Sequence, residues 1–452
     1  MTFQAPLLIV ASRRRASEFG RTACPPGKGN FNVAALRDDG CMSSLPPAPA
    51  EIRSTDPRID TLTSLRFFAA IAIVIHHLRD FGFTTPFLSR LPLDNGVSFF
   101  FVLSGFVMFF VYGSLQGAAD RKSYLAARVA RIYPLHWLTF ALLFLLLDGN
   151  PGSYGAEQKS PFVGGLNLLL LQAWVPAQSY FWSFNGVSWT ISAEMFFYVA
   201  FLLLVIRFER SWHYKLILSA LPVVALCMLG DAMGLDPREV ANDQISTAGL
   251  LYINPLARLF EFVLGMCIAL LFNRLRSGWQ PGRRIATAME VAVLLLFAAN
   301  AWLIQPMAIW VFQNISPSAA VWIIHGGGIC LSTALLILVF AFQKGWLSAM
   351  LLKKPLVLLG EISFSIYMIH QILLRSYAVH IGWFEGLSPM ALVPLYFATL
   401  LIVSALLWRF FEVPSRNLLR KAYARRAGNL RKHSAESSAA APISPPAGGR
   451  GS

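Results

Sequence analysis

The sequence predicts an all-α protein, a polytopic transmembrane helical bundle of about ten spans with both termini in the cytoplasm. Of its 452 residues, 56% are hydrophobic and 13% charged, about half the charged share of roughly 25% found in soluble domains. The mean hydropathy is +0.56. Apolar runs of about 20 residues, long enough to cross a bilayer, recur along the whole chain.

The runs lie near 62–80, 96–114, 131–147, 189–206, 214–231, 252–272, 287–305, 319–342, 356–377 and 391–411. Lipid cannot satisfy backbone polar groups, so each run must be a helix. A further apolar segment, 162–176, is short. Charge decides whether it crosses. With ten spans, Arg121, Lys122 and Arg128, then Arg207, Arg210 and Lys215, then Arg274, Arg276, Arg283 and Arg284, then Lys344, Lys353 and Lys354, and finally Arg416, Arg420 and Lys421 all fall on one side. The opposite loops carry Asp94, Asp148, Glu157, Asp231, Asp236, Glu239, Asp243 and Glu385. An eleventh span would invert the second half, so 162–176 is expected not to cross. The formal charge of +15 is thus a positive-inside signature rather than a nucleic-acid footprint.

Residues 1–58 are rich in Pro, Gly, Ser and Arg and read as a disordered tail. The run Leu7 to Ala11 is too short for a signal sequence. Organised sequence begins only near Asp56, which makes Met42 a candidate start. The membrane domain occupies 59–416, and 417–452 is a basic, then Ser/Ala/Pro/Gly-rich tail. Cys24 and Cys41 lie in the first tail, and Cys227, Cys267 and Cys330 lie in apolar runs. No C-x-x-C pair exists, so neither a disulfide framework nor a metal site is expected.

Ionisable groups inside spans are unfavourable there, so each is a candidate site residue. Arg66 and His77 are eleven residues apart in the first span. At about 100° per residue they share a helix face, about 16 Å apart at about 1.5 Å rise. A snorkelling anchor and a core histidine are the plainer readings of the two. Ser104-Gly105 closes a Phe-rich run and lets another backbone approach. Arg128 and Arg131 face the same way and suit an anionic ligand's phosphates, or lipid head groups. Glu194 follows Ser188-Trp189 in the outer part of the fourth span and needs a partner, for which the histidines are the obvious choice. Arg258 and Glu261 read as a structural ion pair. In the ninth span Tyr367 and His370 share a face, with Glu361 nearer the cytoplasm. His136 and His325 read as structural, and Gly326-Gly327-Gly328 as close packing, since no Lys-Ser/Thr follows. Pro414, after Glu412, is expected to stop the last helix. A basic group (Arg66, Arg128, Arg131) therefore lies inside, and an acid–base group (His77, Glu194, Tyr367, His370) in the outer half. That arrangement suits group transfer across a bilayer.

The motifs Ser64-Leu65-Arg66 to His77, Phe100 to Gly105, Arg128-x-x-Arg131-Ile132-Tyr133-Pro134, Trp189 to Glu194, Arg258-x-x-Glu261-Phe262-x-x-Gly265, Ser363 to His370 and Phe411-Glu412-x-Pro414 resemble those of the membrane-bound acyltransferase-3 family, from about residue 59 to 416. The resemblance implies an integral O-acyltransferase of the bacterial inner membrane. It would carry an acyl group, usually acetyl, from cytoplasmic acyl-CoA to a hydroxyl of an extracytoplasmic glycan or glycolipid. Acyl-CoA would be a co-substrate, with no bound cofactor and no metal. His77, Glu194 and Arg66 would be catalytic: His77 as general base or transient acyl carrier, Glu194 orienting it, and Arg66 steadying the donor or its carbonyl. Arg128, Arg131 and Tyr133 would hold acyl-CoA, while Ser104, Trp189, Tyr367 and His370 would serve the acceptor or the structure.

Two departures stand out. Many family members carry a C-terminal SGNH hydrolase-like domain, where this sequence has a short tail. Phe364 stands where Tyr is frequent. The expected partners are membrane lipids, acyl-CoA and a glycan, not nucleic acid. A proton-coupled transporter or lipid-linked sugar flippase would also bury His, Glu and Arg, but the sequence shows no inverted repeat. A non-catalytic assembly factor accounts less well for the buried ionisable groups.

Overall fold

A computed structural model describes residues 58–79, 91–115, 117–147, 160–237 and 244–439. The N-terminal tail with Cys24, Cys41 and Met42, the loop residues Asp148, Glu157, Glu239 and Asp243, and the tail beyond 439 lie outside the described residues. Ten helices among them are long and apolar enough to cross a membrane: Asp60–Leu78, Leu93–Tyr112, Ala118–Leu146, Gly186–Leu204, Phe208–Ala232, Gly249–Leu275, Arg283–Asn314, Pro317–Ala341, Lys354–Val379 and Ala391–Ala427. They are the first to tenth spans below, in the order the apolar runs predict.

The second and sixth spans meet backbone to backbone. A Cβ on Gly105 would lie 1.8 Å from the Phe262 carbonyl oxygen, and one on Gly265 would lie 1.9 Å from that of Val102. The first and ninth spans meet the same way, with a Cβ on Gly360 falling 1.9 Å from the Thr63 oxygen. Small residues allow such approach where lipid supplies no hydrophobic drive. An aromatic core fills the remaining space. The Phe197 ring, for example, lies 5.1 Å from Phe101 and 5.0 Å from Phe262.

The segment around 162–176 does not cross. It forms the helix Pro161–Leu168 and a turn at Gln172–Trp174, far below the about 20 residues a span needs. Ser160 caps the helix, and Pro161 occupies its first position. The segment folds back on the bundle, with polar side chains turned inward. Asn167 Nδ2 donates to the Ser183 carbonyl at 3.0 Å, and Gln172 Nε2 to Ser188 Oγ at 3.0 Å. Irregular backbone is tolerated at membrane depth only when protein covers it in this way. Asn185 Nδ2 donates to the Met368 carbonyl at 2.9 Å, midway along the ninth span. The fourth span therefore starts deep in the bundle rather than at its surface.

Two expectations are corrected. The third span begins at Ala118, so Arg121, Lys122 and Arg128 ride on the helix rather than in the loop before it. Their long stems let the charged heads reach polar surroundings from there. Pro414 does not stop the last helix. It sits second in the helix Val413–Ala439, directly after a π-helical turn at Trp408–Glu412. A proline in a first turn removes no hydrogen bond the helix needs.

Contacts define two ends. At one, Arg274 Nη2 reaches the Glu209 carbonyl at 3.4 Å, and Thr61 Oγ1 donates to the Phe340 carbonyl at 2.6 Å. This end gathers the basic loops. At the other, Asn95 Nδ2 donates to the Ile324 carbonyl at 3.1 Å, and the Ser318 N–H to Asp231 Oδ1 at 3.0 Å.

Candidate active site

A cavity of about 600 Å³ opens at the basic end, and one of about 460 Å³ adjoins it, sharing Arg58, Arg66, Arg131 and Arg416. Six arginines line the larger: Arg58, Arg66, Arg128, Arg131, Arg416 and Arg420. Three carboxylates sit among them, and their pairing is uneven. Buried Glu412 takes Arg131 at 3.2 Å, Arg416 at 3.8 Å and Ser365 Oγ at 2.8 Å. Glu361 takes Arg58 at 3.0 Å. Glu194 accepts from Tyr198 Oη at 2.5 Å and Ser104 Oγ at 3.2 Å.

Arg128 has no carboxylate on it. Its Nη2 donates to Tyr112 Oη at 2.9 Å, and its guanidinium lies over the Tyr112 and Tyr198 rings at 5.1 and 5.7 Å. Arg66 and Arg420 make no side-chain hydrogen bond among the described residues. These three cations make no direct ion pair among the described residues, although Glu194 lies within electrostatic reach of Arg66 and Arg128, in a space partly shielded from water. Such a site attracts an anion with several oxygens.

Tyr367 and Phe100, with ring centroids 5.9 Å apart, line the cavity on its inner side. Behind Tyr367 stand two histidines, with His370 Nε2 at 3.3 Å from His77 Nδ1. His370 Nδ1 lies 2.6 Å from the Tyr367 carbonyl, which can only accept. That nitrogen therefore carries the proton, and His370 Nε2 the lone pair. His77 Nδ1 faces the Ile73 carbonyl at 3.0 Å as well as that lone pair. Its proton is thus also on Nδ1. The lone pair of His77 is on Nε2, which has no hydrogen-bond partner among the described residues. The sequence places a basic nitrogen in a fixed tautomer at the end of the first span.

Of the residues singled out in the sequence, Arg66, Ser104, Arg128, Arg131, Glu194 and Tyr367 line the cavity. His77 and His370 stand behind its wall. Glu194 does not meet the histidines. The deep start of the fourth span brings Glu194 to the cavity, within electrostatic reach of Arg66 and Arg128. Trp189 is a core residue, 4.8 Å from the Tyr252 ring and 6.1 Å from Phe101. Tyr133 donates to the Leu169 carbonyl at 3.3 Å and is absent from both cavity linings. Phe364 lies beneath the Arg131 guanidinium at 5.4 Å, so its ring steadies a cation where a hydroxyl is not needed. The Arg258–Glu261 pair forms at 3.1 Å, fully buried. His136 Nε2 meets the Asn167 carbonyl at 2.9 Å. Tyr198, Arg416 and Arg420 were missed as site residues. Arg416 and Arg420 are four apart, and they become visible as one face once the last helix continues past Pro414.

A cationic chamber backed by a histidine pair, inside a bundle of membrane-length helices, is the equipment of a membrane-embedded group-transfer enzyme. The chain belongs to the acyltransferase-3 family: the family's acyltransferase domain matches residues 59–409. It is a multi-pass membrane acyltransferase. It is 30% identical to "Acyltransferase MdmB" of Streptomyces mycarofaciens over 341 residues, which is 70% of this chain and 79% of that one. It is 24% identical to "O-acetyltransferase OatA" of Staphylococcus aureus over 379 residues, which is 80% of this chain but only 58% of that one. No solved structure matches.

Proposed function

We propose that the protein transfers an acyl group, acetyl in the simplest case, from cytoplasmic acyl-CoA to a hydroxyl of an extracytoplasmic glycan or glycolipid. The observation that carries this reading is the uncompensated arginine charge at the basic end. That end faces the cytoplasm by the positive-inside rule, where it would meet the phosphates of acyl-CoA. Arg128 and Arg420 take the phosphates as charge-assisted partners. Arg131, already held by Glu412, ties the third span to the tenth.

Arg66 belongs with the donor's body rather than its carbonyl. The helix between Arg66 and His77 is continuous, and eleven residues at about 1.5 Å each keep them about 16 Å apart. The thioester end passes Tyr367 and Phe100 and reaches His77 Nε2, whose free lone pair serves as general base or acyl carrier. His370 and the Ile73 carbonyl fix the tautomer of His77, so Glu194 is not needed for that task. Glu194 instead holds Ser104 and Tyr198 beside the arginines.

The test uses radiolabelled acetyl-CoA given to membranes that contain the protein or its His77→Ala variant. Label in a glycan fraction with the parent chain alone supports the reading. No label from either, with a range of acyl-CoAs offered, overturns it.

A further inference from the structure

Away from the cavity, at the end of the bundle where His77 lies, a second histidine is built into its place. His325 Nδ1 lies 2.9 Å from Asp94 Oδ2. Its ring packs against Tyr252, tilted by 33°, with centroids 4.7 Å apart. Its backbone carbonyl accepts from Arg258 Nη1 at 2.8 Å, and the preceding carbonyl, of Ile324, accepts from Asn95 Nδ2. The residue sits in a π-helical turn, Ile323–Gly327, a distortion that concentrates at functional sites. Gly326 follows it at φ +152°. A Cβ there would fall 2.4 Å from both Arg258 Nη1 and Ser98 Oγ, so the turn has only one residue type that fits. Arg258 is in turn paired with Glu261 and donates to Ser98 Oγ at 3.0 Å. The His325 side chain keeps 35% of its surface exposed, against 12% for Asp94.

This is more scaffolding than a packing histidine needs. A carboxylate on Nδ1 fixes the tautomer, stabilises the imidazolium and leaves Nε2 as a base. Asp94 also lies within electrostatic reach of His76 and His77, so the two histidine sites share one end of the molecule.

We infer that Asp94 and His325 form the acceptor-side general base of the transfer, distinct from His77. The inference rests on the acyl-transfer reading above. With a separate base for the acceptor, His77 becomes the acyl carrier. In the first step its Nε2 lone pair attacks the thioester carbon. The C–S bond breaks, and its electron pair leaves on the CoA thiolate. In the second, the acceptor hydroxyl oxygen attacks the acyl carbon. The C–N bond breaks and its pair returns to His77 Nε2, while the hydroxyl proton passes to His325 Nε2 and then to water. One alcohol and one thioester give one ester, one thiolate and one proton.

The two steps can be read separately on the purified full chain. Exchange of labelled CoA into acetyl-CoA reports the first step without any acceptor. Transfer of labelled acetyl to the glycan fraction reports both. His325→Gln keeps an amide to face Asp94 but has no base. It is expected to retain exchange within about twofold and to lower transfer by about 10²–10⁴-fold. Asp94→Asn is expected to show the same split, with transfer down at least about 10²-fold from loss of the carboxylate. Transfer at the parent rate in both variants overturns the inference, as does equal loss of exchange and transfer in both, which a purely structural role would give. A parent chain that transfers without exchanging overturns the two-step assignment. A parent chain that does neither overturns the donor reading beneath it.

Discussion

The two ends of the bundle handle polar groups in opposite ways. At the basic end, six arginines meet three carboxylates, and Arg66, Arg128 and Arg420 make no direct ion pair among the described residues. At the other end, individual histidines are each set against a particular acceptor: His370 against the Tyr367 carbonyl, His77 against the Ile73 carbonyl, His325 against Asp94. Unpaired charge is unfavourable in a membrane, so it persists where a ligand completes it. Paired imidazoles serve chemistry instead, because each pairing decides which nitrogen is free. On the proposed reaction, the first region serves binding and the second proton handling.

Mutations should separate the two. His77→Ala is expected to lower transfer by about 10²–10⁴-fold with the amount of folded protein unchanged, read as label in the glycan fraction. Arg128→Ala is expected to raise the donor KM about 10- to 100-fold, from the roughly 1.5–3 kcal/mol of a charged hydrogen bond, with little change in kcat. A fall in kcat instead would erase the distinction between the ends. Glu194→Gln sharpens it further. A carboxylate orienting an imidazole is worth several powers of ten in kcat, whereas at the arginine level the change should hold kcat within about threefold and leave the donor KM equal or lower. The smallest effect is that of salt. Between about 0.05 and 0.5 M, screening should raise the donor KM a few-fold without moving the rate at saturating donor.

Much of the architecture is legible in the sequence because lipid is an unforgiving solvent. Ten apolar runs give ten helices, and the loop charges correctly exclude 162–176. What is not legible is depth. Glu194 reads as an outer residue when its helix is assumed to start at the surface, but Asn185 hooks that start onto Met368 in mid-bundle, a contact between residues far apart in the chain. Asp94 and His325 pair across 231 positions and leave no local periodicity to find. The faint signals are a carboxylate at the mouth of an apolar run and a triple glycine directly after a histidine. Pro414 fails to stop its helix for a different reason: the π-helical turn before it changes which backbone groups need partners, and residue order does not announce such a turn.

The glycine contacts have a mechanical meaning. Gly105 and Gly265 lock the second span to the sixth, and Gly360 locks the ninth to the first, with carbonyls seated where a Cβ would be. Arms dovetailed so tightly cannot rock past one another. The frame is braced between these pairs, and on the proposed reaction it is the acyl group that moves, past Tyr367, whose own hydroxyl is tied to Thr190 Oγ1 at 2.9 Å and the Val187 carbonyl at 3.3 Å.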